Sequence, residues 1–248
     1  MTLLVLALVA GAVVGLALGG LGGGGSMLAV PALIYLLGFT PAQATTASLV
    51  IVTVTSLTGL IAHARAGRVR WRTGALFAAA GLPAAAATGA LSSAIPGAVL
   101  TAAFALLAAV AAWRMLTPRR SSGPVRPAGP GRSAATGAGL GAVTGLLGVG
   151  GGFLAVPALV SVLALPMAEA VGTSLLVISA NGAAALAPRL GSTGSLDWAV
   201  VGPFTAAAIL GAWDGKRLAD KLSGATLRKI FAIALLAVAA LMLLDALT

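Results

Sequence analysis

The chain has 248 residues, of which 59% are apolar and 8% charged, with a mean hydropathy of +1.08, whereas a soluble domain carries about 25% charged residues. That balance excludes a soluble globular domain, and because apolar stretches recur along nearly the whole length it predicts an all-α polytopic membrane protein of one domain, with the lipid bilayer as its surroundings. A net charge of +10 would suggest nucleic acid in a soluble protein, but the basic residues gather in a few connections between apolar segments, so no nucleic-acid partner is expected.

In chain order, a first apolar segment covers roughly 3–20 and begins without a basic n-region, so it reads as part of the domain and not as a cleaved signal. It runs into "GGLGGGGSMLAVP" at 19–31, where five of the six residues 20–25 are glycine. A second short segment spans 26–38, and three longer ones lie near 42–62, 73–91 and 97–116. The Pro, Gly, Ser and Arg content of "TPRRSSGPVRPAGPGRS", 117–133, cannot span lipid and reads as a flexible connection. Beyond it the pattern returns at 134–149, 152–165, 168–188, 198–213 and 224–246.

The return is an internal repeat. "LGGGGSMLAVPAL" at 21–33 and "LGVGGGFLAVPAL" at 147–159 agree at ten of thirteen positions with an offset of 126. The same offset pairs Ser48-Leu49 with Ser174-Leu175, and an offset of 127 pairs Trp71 with Trp198 and Phe104 with Phe231. The repeats are therefore 1–116 and 134–248, joined by the linker 117–133.

Basic residues in short loops stay on the cytoplasmic side. An inverted arrangement of the repeats places fourteen of the fifteen basic residues inside, a parallel one only ten, so inverted repeats are expected, a common construction of secondary transporters. The linker is then cytoplasmic. Inversion needs an odd number of crossings per half, so the two short segments either both cross or form a re-entrant hairpin. Thirteen residues of helix cover about 20 Å of a core about 30 Å thick, which favours a partial crossing by the second.

Small residues one turn apart, Gly11, Gly15 and Gly19 and again Gly137, Gly141 and Gly145, read as helix-packing rows. The contiguous glycines are different, because a run around the whole helix weakens it and frees backbone groups. Such groups are tolerated at membrane depth only where protein or a water-filled cavity satisfies them. Literally Gly20–Gly25 fits the dinucleotide fingerprint, but no strand precedes it and Phe153 breaks the pattern in the second copy.

A helix restarting at Ser26 or Phe153 directs its first N–H groups and positive dipole end at the break, which suits an anion. The predicted binding residues are accordingly Gly23, Gly24, Gly25 and Ser26 with Gly150, Gly151, Gly152 and Phe153 as backbone donors, and Thr46, Ser48, Thr173 and Ser174 as side-chain ligands. Pro31 and Pro157 fall on the restarted segments as a kink or cap. Interhelical hydrogen bonding is the competing role of the hydroxyls, and Asn181, matched by Thr55, stands equally between site and packing.

Glu169, the counterpart of Gln43, is a candidate for proton coupling if it lies at membrane depth and otherwise a helix N-terminal acid. His63 reads as a headgroup contact or carbonyl cap, with proton transfer the alternative. Trp71 and Trp198 read as interface anchors. One histidine, no cysteine and no closely paired carboxylates leave hydrolytic and metal chemistry without their parts, so no enzyme, metal or cofactor is expected.

The duplicated pattern in Gly22–Pro31 and Gly148–Pro157, each followed by Ala47-Ser48-Leu49 or Thr173-Ser174-Leu175, resembles the sulfite exporter TauE/SafE family of bacterial membrane proteins over nearly the whole chain. The first copy departs from it only by Ser26 after a fourth glycine. The resemblance implies about eight membrane segments in two halves and transport of sulfite, sulfonates or related sulfur-containing anions. The expectation is a plasma-membrane secondary transporter of a small anion working by alternating access around the paired breaks. A passive anion channel or a noncatalytic membrane scaffold is the alternative.

Overall fold

The computed structural model describes residues 2–22, 24–92, 97–117, 129–147, 152–186 and 196–247, and among these it is helical with no strand. The first half carries α1 (Thr2–Leu21), α2 (Gly24–Pro31) prolonged by a π-helical turn (Ala32–Leu36), α3 (Pro41–Arg65), α4 (Trp71–Ser92) and α5 (Gly97–Leu116). The second carries α6 (Pro130–Leu147), α7 (Gly152–Ser161), α8 (Met167–Leu186), α9 (Trp198–Asp220) and α10 (Gly224–Leu247). Among the described residues α1, α3 from Thr46 onward and α8 are long and apolar enough to cross a membrane.

Local chemistry sets the boundaries. Thr40 and Gln43 form a capping box ahead of α3, with Pro41 in the first turn. Asp197 caps α9 by accepting from the Ala199 N–H at 3.0 Å. Helix α6 starts at Pro130, inside the stretch read as linker, because proline suits the first helical position. Helix α9 runs past 213 to Asp220, because ion pairs one turn apart, Asp214 with Arg217 and Lys216 with Asp220, support a polar last stretch. Pro31 closes α2, where its missing N–H gives way to the wider π turn, whereas Pro157 lies buried within α7.

The repeat is visible in backbone detail. The Phe39 N–H donates to the Leu33 carbonyl at 3.0 Å, and the Leu165 N–H to the Leu159 carbonyl at 3.0 Å, with left-handed residues at Gly38 (φ 70°) and Ala164 (φ 60°) closing the same turn in each half.

The halves interleave. Helix α1 packs on α9 and α6 on α4, α3 crosses α8, and α5 packs on α10, so each contact has its repeat equivalent. Helices α1 and α9 run in the same direction, with Gly11, Gly15 and Gly19 against Phe204, Ala208 and Ala212; α6 sets Gly137 and Gly141 against Phe77 and Gly81 in the same way. Small residues on successive turns let the backbones meet, and a Cβ at Gly15 or Gly141 would fall within 3.0 Å of a carbonyl oxygen.

Helices α3 and α8 run antiparallel, since Thr53 meets Gly182, Ser56 meets Ser179 and Gly59 meets Leu175. Residues 53 and 56 correspond to 179 and 182, so the first two contacts exchange under the repeat. Phe77, Phe204 and Phe231 fill the interior, while Leu3, Val5, Trp113, Leu210 and Ile233 cover the outside with exposed apolar surface.

Candidate functional site

The first glycine break is closed by a left-handed cap. Gly22 has φ 70° and donates its N–H to the Leu18 carbonyl at 2.9 Å, ending α1 as an αL motif that glycine adopts without strain. The chain restarts as α2 at Gly24, two residues before the expected Ser26; the second copy restarts as α7 at Gly152, one residue before Phe153. Gly23, Gly150 and Gly151 lie outside the described residues, as do the side chains of Ser26 and Phe153.

Ser174 is the predicted ligand that meets the break. A Cβ on Gly22 would sit 2.5 Å from its hydroxyl oxygen and 3.1 Å from Val156, so the first break packs against α7 and α8 of the other half. The Ser174 hydroxyl donates to the Val171 carbonyl at 2.8 Å. Thr173 is turned elsewhere: its hydroxyl accepts the Arg70 N–H at 3.1 Å and anchors the loop between α3 and α4. Thr46 and Ser48 are buried on α3.

Ser48 and Thr55 are seven residues apart, as are their equivalents Ser174 and Asn181, which puts each pair on one helix face about 10 Å apart along the axis. Each row thus leads toward the crossing of α3 and α8. There the hydroxyls of Ser56 and Ser179 are bonded at 3.0 Å, while Thr53 Oγ1, Thr55 Oγ1 and Asn181 Oδ1 are buried without a hydrogen-bond partner. An unpaired buried polar group costs about 1–3 kcal/mol. Thr53, Ser56 and Ser179 were not singled out in the sequence, although Thr53 and Ser56 stand seven and eight residues, about two helical turns, beyond Thr46 and Ser48.

Charged groups gather where the α3–α4 loop meets the end of α9. The loop is fixed by a Schellman motif, in which Gly67 at φ 69° donates to the Ala64 carbonyl and Arg68 to the His63 carbonyl, both at 3.0 Å. Arg68 pairs with Asp220, which also accepts from Lys216 at 2.8 Å. Partial burial works against the charged Asp220, but the hydrogen bonds from Lys216 and Arg68 outweigh it and hold its carboxyl below the usual aspartate range.

Arg70 grips Glu169 with two bonds, at 2.7 and 2.9 Å, and the hydrogen bond with Glu169 raises the guanidinium further above its ordinary range. Glu169 therefore sits in the first turn of α8, tied to a loop. His63 is buried and caps a carbonyl, as one of its expected roles has it, but the carbonyl belongs to Gly19 on α1. Trp71 and Trp198 are half exposed at the starts of α4 and α9, positions suited to interface anchors.

The arrangement offers hydroxyls and helix starts beside a break, with Arg68, Lys216 and Asp220 gathered where the α3–α4 loop meets the end of α9. Among the described residues no three metal-ligating side chains gather. Comparison with known proteins agrees with a transport role. A probable membrane transporter protein from Xylella fastidiosa strain Temecula1 is 34% identical over 244 residues, covering 95% of this chain and 93% of the relative, and one from strain 9a5c has the same identity and coverage. No solved structure matches the chain. Residues 7–242 match the family described as sulfite exporter TauE/SafE, and the chain belongs to that family of membrane transporters.

Proposed function

We propose that the chain is a secondary transporter of a small anion, of the sulfite, sulfonate or related sulfur-containing class, working by alternating access in the plasma membrane. Its repeats are inverted about an axis in the membrane plane, with about eight segments and the linker 117–133 on the cytoplasmic side. The observation that carries this reading is the antiparallel crossing of the equivalent helices α3 and α8 beside the first glycine break. Equivalent helices that run in opposite directions are what inversion requires, and inverted-repeat transporters bind at the repeat interface on broken helices. The pairing of Arg68 with Asp220 supports it too, because only inversion puts the α3–α4 and α9–α10 connections on one side.

Within this reading the glycine backbones at 23–25 and 150–152 and the helix starts at Ser26 and Phe153 supply N–H donors. Ser48 and Ser174 carry the anion along their helix faces, and Thr46 lines α3 beside them. Thr173 holds the Arg70 loop and reaches substrate only if that loop moves. Glu169 serves as a proton carrier only in a state where its bonds to Arg70 have opened.

The test is a binding screen of sulfite, sulfonates and sulfate on purified protein, with Ser174→Ala and Asn181→Ala. The reading expects one class to bind and both variants to weaken it with insertion intact. Equal affinity in wild type and both variants would overturn the assigned site.

A further inference from the structure

His63 is the only histidine in the chain and is 1% exposed in the last turn of α3. Its Nε2 lies 3.1 Å from the Gly19 carbonyl oxygen. A carbonyl only accepts, so Nε2 bears the proton and Nδ1 is left as a bare acceptor. That Nδ1 is buried and has no partner. Capping Gly19 uses one ring nitrogen and leaves the other unexplained.

The ring lines a cavity of about 150 Å³ with Arg68, Asp220, Gly20, Val171 and Leu227, and a single water needs about 10–15 Å³ of such space. Its charged neighbours are Arg68 from the α3–α4 loop and Lys216 and Asp220 from α9. The cavity residues from α1, α8 and α10 are Gly20, Ala168, Val171, Gly224 and Leu227, none of them titratable. Asp220 is held by both cations and stands in the same cavity as the bare nitrogen.

We propose that His63 is a proton-binding site in which the imidazolium and Arg68 exchange places as partners of Asp220. A proton delivered by water through the cavity adds to Nδ1, no other bond is made or broken, and the new Nδ1–H turns to the Asp220 carboxylate as Arg68 lets go. Charge at Asp220 stays balanced through the exchange. The Arg68 contact is what ties the loop to α9, and Nε2 holds α1 three residues before Gly22, so proton uptake loosens one end of the bundle beside the break. The use of this proton for coupling rests on the transporter reading; the protonation does not.

The experiment is nitrogen NMR on full-length protein in lipid nanodiscs with labelled histidine, where one ring gives one set of signals. The expected result is the neutral Nε2–H tautomer at about pH 8 and imidazolium replacing it as the pH is lowered, since histidine is the side chain that changes charge nearest neutrality. At a pH where wild type is partly protonated, the imidazolium fraction should be larger in Arg68→Gln than in wild type and smaller in Asp220→Asn. A ring that is Nδ1–H at pH 8, or an imidazolium fraction equal in all three proteins, would overturn the site. Flux in proteoliposomes separates the two readings. Absent flux of any anion with the NMR order intact sinks transport alone, whereas flux whose pH profile is identical in wild type and His63→Gln sinks the coupling alone.

Discussion

Two glycines on α6 should respond unequally to the same substitution. In Gly141→Ala the added Cβ meets the Gly81 carbonyl and Cα within 3.0 Å, and because that neighbour is backbone, α4 and α6 must move apart. In Gly139→Ala the Cβ meets nothing within 4 Å. Alanine gains about 1 kcal/mol over glycine in a helix at either position, so the difference between the variants isolates the clash. Overpacking against a close contact costs about 1–3 kcal/mol. The assay is reversible unfolding in mixed micelles, followed by helical circular dichroism. Gly139→Ala should be neutral or stabilised, Gly141→Ala less stable than it by that amount, and Gly15→Ala, the repeat equivalent of Gly141, similar to Gly141→Ala. Agreement of Gly139→Ala and Gly141→Ala within a few tenths of a kcal/mol would refute helix contact through these rows.

Ala164→Gly should stabilise by about 1 kcal/mol in the same assay, because the left-handed conformation costs an alanine about 1–2 kcal/mol and Gly38 fills the equivalent turn without it. Ser56→Ala and Ser179→Ala should each cost little, with a coupling energy of about 0.6 kcal/mol in a double-mutant cycle, the usual size for hydrogen bonds between membrane helices. The lowered Asp220 carboxyl stabilises fully above the ordinary aspartate pKa of about 3.9 and loses that contribution as pH falls through its folded value. Asp220→Asn should therefore unfold with a shallower acid limb than wild type. A reporter fused at Gly123 should be cytoplasmic and one fused after Gly191 external; both on one side would contradict inversion.

Most of the architecture was legible in the sequence because membrane helices need long apolar runs and their packing faces need small residues at fixed spacing. Gly11, Gly15, Gly137 and Gly141 could be assigned to packing from spacing alone, and all four face backbone. Which helix they face could not be read, since α1 meeting α9 of the other half is set by long-range interleaving. Helix ends were misplaced where polar side chains extend a helix beyond its apolar stretch, as Lys216 and Asp220 do for α9. In the candidate site, spacing treated Ser174 and Thr173 as equals, although neighbouring residues on a helix point about 100° apart, so Ser174 lies beside Gly22 and Thr173 reaches the loop. The cavity at His63 was hidden because Arg68 and Asp220 are 152 residues apart and meet only through the fold.

The central claim, carriage and not conduction, is tested most directly by counterflow of labelled sulfite in proteoliposomes. The account predicts that unlabelled sulfite trapped inside drives transient uphill uptake of label, saturating with concentration. Ohmic single-channel currents with no counterflow would contradict it.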